Sequence, residues 1–486
     1  MKSSTRSALA WSFAERYANF LLTLLATVVL ARLITPQQLG VYSLCAAFAA
    51  VAGILRDFGV SEYLIQEKDL TRDKLRAACS VALLVAWPLA ALLFLARGPV
   101  ARFYDEPGVA DVLAVLALHF VLLPLTSPAF ALLNREMAFK RIFVLQLLSH
   151  AVGVGTSLYL AWHGFGTLAL AWGPVAGVAA QTLILLVTQP HNSLLLPGLK
   201  QARSVLRFGS MYVASRGIET LARHVHEPVI AKAFDFVAVG LFSRAWGLVE
   251  MFNTHVADAI VRVATPAFAK EHRAGRSVAE PFARGTAIFV CLSWSFFGFV
   301  ALCAQEIIAV LFGPQWAAAA PLATILALAA LPAGLHELVP QLLSATGHVK
   351  RRLRIAAWGG VLHVALVLAA ATVSLEAVAA VTAVSATVVL VLGARQVRQA
   401  LGISALSYLR PCLASAAVAA ACVGVQCWVV AAARQAALPA FLVLACTAVL
   451  GTIAWLLAAR WLEHPAYREV QGAWESFKKR LSQVSR

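Results

Sequence analysis

Apolar runs long enough to cross a bilayer, roughly 20 residues each, follow one another along this chain with short polar gaps between them. They lie near 8–33, 39–65, 73–96, 110–133, 142–162, 165–187, 205–230, 237–261, 285–303, 318–343, 353–371, 375–393, 407–430 and 437–459. Runs of this length predict helices, because a lone helix satisfies its own backbone inside lipid. The expected fold is an all-α polytopic membrane protein with about fourteen transmembrane helices.

Polar positions repeat inside this pattern. Residues 31–43, ARLITPQQLGVYS, align with 231–243, AKAFDFVAVGLFS, at an offset of 200 that pairs Arg32 with Lys232, Gly40 with Gly240 and Ser43 with Ser243. At the same offset Arg16, Asn19 and Thr23 fall on Arg216, Glu219 and Arg223. Spacing of i, i+3, i+7 puts each trio on one side of a helix. Lipid cannot satisfy such a stripe, so it must face protein or water. A duplicated stripe implies two related half-proteins around a shared polar cavity, the plan of a transporter.

Only 13% of the 486 residues are charged, about half the usual share in soluble domains, and mean hydropathy is +0.79. A net charge of +17 could suggest nucleic acid, but its distribution points elsewhere. The even-numbered gaps and the two ends hold 30 of the 40 Lys and Arg, the odd-numbered gaps five. The positive-inside rule makes this a topology signal with both termini cytoplasmic. No nucleic-acid partner is expected. The first run holds Glu15 and Arg16 and is too long for a signal peptide, so it reads as an uncleaved first helix. The eight cysteines sit in or beside apolar runs without CxxC spacing and read as small apolar filler.

Both copies of the repeat begin in the cytoplasm, so the repeats are parallel. The expected organisation is an N-lobe of six helices over 1–190, a C-lobe of six over 191–400, two peripheral helices over 401–462 and a cytoplasmic basic tail over 463–486. Pro190, Pro197 and Gly198 break helices at the lobe boundary. In the tail, Tyr467, Val470, Trp474, Phe477, Leu481 and Val484 recur at helical spacing beside Lys478, Lys479 and Arg480. Such a helix can lie on an anionic leaflet or pack under the bundle.

Five arginines lie inside apolar runs: Arg16, Arg56, Arg216, Arg223 and Arg244. Arg16 is about eight residues into its helix, roughly 12 Å deep. Burying one arginine costs at least ~2.5 kcal/mol on insertion scales. An anionic substrate gives a reason, since the guanidinium forks onto phosphate oxygens. Internal ion pairs with acids such as Glu15, Asp57, Glu219 or Glu227 are the structural alternative. Arg56 and Asp57 are neighbours along one helix and so are not expected to face each other. Asn19, Asp57, Glu219, His224, His226 and Glu227 complete a polar wall able to couple ions, since imidazole titrates near neutral pH. His336 and Glu337 form a weaker set of the same kind. There is no GxxxxGK[ST], HExxH or GxSxG and no long catalytic loop, so neither an enzyme, a cofactor nor a metal site is expected.

Three stretches carry a family resemblance: Leu30 to Ser43 with Asp57-Phe58-Gly59-Val60-Ser61, PAFALLNREMAFKR at 128–141, and LFGPQWAAAAPLATILALAALP at 311–332. Together they resemble Wzx-type oligosaccharide flippases, the lipopolysaccharide biosynthesis proteins of the multidrug/oligosaccharidyl-lipid/polysaccharide exporter superfamily. The later stretches are similar to the subgroup associated with colanic-acid-like export. The resemblance implies two six-helix lobes around a central cavity, two further helices, and alternating access without ATP. It implies a short oligosaccharide on undecaprenyl pyrophosphate as substrate, in the bacterial inner membrane, for O-antigen, exopolysaccharide or capsule. Membrane lipids and the polysaccharide polymerase and chain-length machinery are the implied partners. It also implies cationic cavity residues on the first, second and seventh or eighth helices, which Arg16, Arg56, Arg216 and Arg244 match by helix. Export of cationic drugs by the same superfamily is the alternative, favoured by the acids and disfavoured by the arginines. A non-transporting scaffold for polysaccharide assembly would not need the duplicated stripe.

Overall fold

The protein is described here from a computed structural model covering residues 2–67, 69–189, 198, 200, 202–472 and 475, without the side chains of 2–16, 208, 211, 212 and 214–216. All regular structure among the described residues is helical. The first half holds α1 (Lys2–Leu33), α2 (Pro36–Asp57), α3 (Val60–Gln66), α4 (Arg72–Tyr104), α5 (Gly108–Arg135), α6 (Phe139–Trp162) and α7 (Thr167–Thr188). Then come α8 (Ala202–Arg223), α9 (His226–Ala233) and α10 (Phe236–Phe252), a π-helical turn (Asn253–Ala257), and α11 (Asp258–Arg273). The chain continues through α12 (Ala279–Leu311), α13 (Ala319–Gly334), α14 (Val339–Ala345), α15 (Val349–Ala370) and α16 (Leu375–Leu401). It closes with α17 (Ala405–Leu409), α18 (Cys412–Gln435) and α19 (Ala440–Trp461).

Eleven of these segments, among the described residues, are long and apolar enough to cross a membrane. They match eleven of the fourteen expected runs. Of the first run, the part described with side chains, Tyr17–Leu33, is an apolar helix. The seventh and eighth are interrupted: 205–230 splits into α8 and α9 around His224 and Val225, and 237–261 passes through the π turn. The seventh carries Arg216, Glu219 and Arg223 of the duplicated stripe, and the eighth carries Arg244, Glu250 and Asp258. Broken helices are tolerated at membrane depth where protein or a cavity meets the freed backbone.

Helix ends follow local chemistry. Thr35 and Gln38 form a reciprocal capping box ahead of Pro36, which occupies the first turn of α2. Ser374 caps α16 by accepting from the Ala377 N–H.

Packing divides the chain into two compact units, 1–240 and 241–486. The division falls fifty residues beyond the expected boundary at 190, because α8, α9 and the start of α10 pack with the first half. Tyr104 Oη donates to the Pro228 carbonyl at 3.4 Å, and Lys232 Nζ donates to the Phe103 carbonyl at 2.7 Å while lying over the Phe103 ring. Gly40 and Gly240 cross at the starts of α2 and α10. A Cβ on Gly40 would lie 1.8 Å from the Phe236 oxygen, and one on Gly240 would lie 1.9 Å from the Pro36 oxygen. Glycine is required on both sides of this approach.

Each unit repeats one packing order. In the first, α4 packs on α5, α5 on α7 and α6 on α7; in the second, α12 packs on α13, α13 on α16 and α15 on α16. The pair α18–α19 packs on α12. Arg434, at the end of α18, forks onto Glu306 with N···O distances of 2.7 and 3.0 Å.

The tail begins against the second unit. Ala466 and Tyr467 pack beside Cys291, Val418 and Trp455, and Arg284 pairs with Glu469 at 2.8 Å. His464 fixes this end: the Ala466 N–H donates to Nδ1 at 3.2 Å, so Nε2 carries the proton and faces Ser415 Oγ at 2.9 Å. Ser415 Oγ in turn donates to the Ala287 carbonyl. Burial holds the His464 pKa below the ordinary imidazole value. The basic cluster Lys478, Lys479, Arg480 and the aromatic positions Trp474 and Phe477 lie outside the described residues.

Candidate functional site

Helix α1 has two faces. Tyr17, Leu21, Leu25 and Val29, four residues apart, are exposed and apolar, a stripe suited to lipid. About half a turn away, Asn19, Thr23 and Thr27 repeat at the same spacing. Helix α6 is divided likewise. Val144, Leu148, Val152 and Tyr159 are exposed, while Gln146, Ser149, His150, Gly153 and Ser157 turn towards α1 and α7. Glycines set the α6–α7 distance: a Cβ on Gly153 would lie 2.8 Å from the Gly173 oxygen.

The inward faces enclose a cavity of about 390 Å³, to which α5 contributes His119 and α7 contributes Gln181. Thr23 Oγ1 bonds His150 Nε2 at 2.9 Å and lies 2.8 Å from the Asn19 carbonyl. Ser149 Oγ and Asn19 Oδ1 are buried with no hydrogen-bond partner. Among the described residues, none that lines the cavity carries a fixed charge. Sequence reasoning singled out Asn19 and Thr23 but missed Gln146, His150 and Gln181. The available signal was the small and polar spacing 146–149–150–153–157 and 173–177–181.

Arg56 is well covered: its side chain is 13% exposed, its guanidinium lies 4.6 Å over the Phe120 ring, and it pairs with Asp57 at 2.8 Å. This corrects the expectation that Arg56 and Asp57 cannot meet. Helix α2 ends at Asp57, Phe58 turns left-handed (φ 41°), and the long arginine stem reaches back across the terminal carboxylate. Asp57 itself remains half exposed.

The break between α8 and α9 gathers the expected titratable set. His226 is fully buried, and Glu227 has one oxygen 3.9 Å from His224 Nδ1 and the other buried with no hydrogen-bond partner. Glu219 is half-buried, and Arg223, the last residue of α8, is exposed. Arg244 sits between two rings, with its Cζ 4.6 Å from the Phe312 centroid and 4.7 Å from that of Trp316. Its Nε is buried without a hydrogen-bond partner. The side chains of Arg16 and Arg216 lie outside the described residues. The second unit holds a cavity of about 200 Å³ lined by Trp246, Asn253, Glu337 and His363 among others, with His363 bonded to Ser385 at 2.9 Å. His336, next to Glu337 in the chain, is half-buried, and its Nδ1 is buried without a hydrogen-bond partner.

Comparison with known proteins places this geometry. The family described as "Polysaccharide biosynthesis protein" matches residues 29–321, more than half of the chain. The succinoglycan biosynthesis transport protein ExoT of Rhizobium meliloti (strain 1021) is 25% identical over 67% of this chain and 66% of its own length. The lipopolysaccharide biosynthesis protein WzxC of Escherichia coli (strain K12) is 23% identical over 72% and 71%. The chain spans between 58% and 71% of the length of three curated relatives that it matches. Among solved structures, the lipid II flippase MurJ in an inward closed conformation superposes with a TM-score of 0.75 at 12% identity, covering 95% of this chain and 99% of that one. At that identity the likeness establishes the polytopic fold.

Proposed function

The chain belongs to the family of polysaccharide biosynthesis proteins, and on that footing we propose that it flips lipid-linked oligosaccharide across the bacterial inner membrane. The substrate in this reading is an oligosaccharide repeat unit on undecaprenyl pyrophosphate, moved by alternating access for O-antigen, exopolysaccharide or capsule. The observation that carries the reading is the reciprocal crossing of Pro36–Gly40 with Phe236–Gly240. A contact made twice by related segments gives related helices a place to part and re-form, which alternating access requires. ExoT is named for transport and WzxC for lipopolysaccharide biosynthesis, and MurJ is a lipid II flippase, in agreement with a lipid-linked saccharide.

The roles divide by charge. Arg16, Arg56, Arg216, Arg223 and Arg244 offer guanidinium groups to the pyrophosphate. Arg56 and Arg244 are backed by ring faces, which support a cation. Asn19, Asp57, Glu219, His224, His226 and Glu227 form the polar wall and the candidate ion-coupling set. Two six-helix lobes carry these residues, both termini face the cytoplasm, and the polymerase and chain-length machinery take over the product.

Deleting the gene tests the reading. Mass spectrometry of the membrane lipids should show complete repeat units accumulating on undecaprenyl pyrophosphate. An unchanged pool contradicts it, and an unchanged pool with new sensitivity to cationic drugs favours drug export instead.

A further inference from the structure

We infer that the uncharged cavity between α1, α6 and α7 is a sugar-recognition subsite, holding one or two neutral saccharide rings of the lipid-linked substrate. The inference rests on the flippase reading and names what that reading leaves open: where the sugar, as distinct from the pyrophosphate, is held.

The chemistry of the walls selects the ligand. The described lining residues include no carboxylate, ammonium or guanidinium, so their groups neither neutralise a pyrophosphate nor attract a cationic drug. Its polar groups are amides, hydroxyls and imidazoles, each able to donate or accept. That set matches sugar hydroxyls, which also do both. Apolar side chains such as Leu30, Leu170 and Val178 give the C–H faces of a ring somewhere to lie. The volume falls within the usual range for small-molecule sites, roughly 300–1,000 Å³. Ser149 Oγ, 5% exposed as a residue, lines the cavity and has no hydrogen-bond partner. A buried polar atom without a partner is costly, so its presence at a cavity wall points to a ligand or water that completes it.

Placement supports the same assignment. The polar stripe of α1 runs from Asn19 through Thr23 to Thr27, and its last two members line the cavity. A substrate following that stripe along α1 enters the cavity that Gln146 and Gln181 also line. Both α1 and α6 turn exposed apolar stripes the other way, so their polar faces and the stripes suited to lipid lie on different sides of each helix.

The test uses the full chain in detergent and two probes: undecaprenyl pyrophosphate carrying the host's repeat-unit oligosaccharide, and the bare lipid pyrophosphate. Wild type should bind the glycosylated lipid at least tenfold more tightly. The double variant Gln146→Ala/Gln181→Ala should lose that preference while binding the bare lipid as before, and Gln181→Asn should keep part of it. If the double variant does not insert, Thr27→Val, nearly isosteric, should narrow the preference several-fold. An unchanged preference in the folded double variant, or in Thr27→Val where that variant stands in for it, overturns the subsite, as does a wild type that binds both lipids equally. A wild type that binds neither lipid overturns the flippase reading itself.

Discussion

Gly40 and Gly240, two hundred residues apart, occupy equivalent places in the repeat and meet each other's helix start at a distance no side chain allows. Each lies against the backbone carbonyl of the residue that begins the other's helix, Phe236 for Gly40 and Pro36 for Gly240. The repeat visible in the sequence is therefore also a reciprocal contact in space.

Adding one methyl group there should wedge the crossing open. Gly40→Ala or Gly240→Ala should each cost ~1–3 kcal/mol by overpacking against rigid backbone and reduce export well below the change in protein abundance. Export normalised to folded protein checks this. Normal export by both alanine variants would remove the crossing from the mechanism.

The Arg56–Asp57 pair makes a separate prediction. Asp57 occupies the guanidinium that a pyrophosphate would need. Asp57→Asn should therefore tighten binding of undecaprenyl pyrophosphate several-fold at unchanged abundance, and Arg56→Lys should weaken it about tenfold by losing the fork. Titration of purified protein with the lipid measures both.

His464 links stability to pH. Its folded pKa lies below the ordinary value because it is buried, and its Nδ1 must stay unprotonated to accept from Ala466. A depressed folded pKa contributes stability above the unfolded pKa, about 6.5, and that stability is lost as pH falls through the folded value. The melting temperature of wild type should drop on acidification from pH 7.5 to 5.5. His464→Asn, which keeps a cap for the Ala466 N–H, should show a smaller drop. Equal slopes for the two proteins would contradict the assignment.

Topology is tested by reporters. Fusions after Gly164, in the α6–α7 turn, and after Glu376, in the first turn of α16, should report the outer side. Fusions after Lys350 should report the cytoplasm. A cytoplasmic signal at Gly164 would break the alternation on which the count of fourteen spans depends.

Much of the fold was legible because the apolar runs are long and the gaps short: all eleven qualifying helices fall on expected runs. The seventh and eighth runs hold charged residues within them, and their helices are interrupted at His224–Val225 and at the π turn from Asn253. The candidate site was read through its charges, which singled out Arg56, Arg244, His224 and Glu227. The Arg56–Asp57 contact was misjudged because helix geometry was applied past the point where Phe58 ends the helix. The uncharged cavity was missed because Gln146, His150 and Gln181 stand out only once α1, α6 and α7 are packed together.

The central claim is that this chain moves a lipid-linked oligosaccharide past the arginines of its apolar runs. The direct measurement is the rate at which undecaprenyl-pyrophosphate oligosaccharide reaches the far leaflet of proteoliposomes, per folded molecule, for wild type and for Arg16→Ala and Arg216→Ala. The account predicts movement by wild type above protein-free vesicles and at least a tenfold loss in each variant. No movement by wild type, or near-wild-type rates in both stable variants, would contradict it.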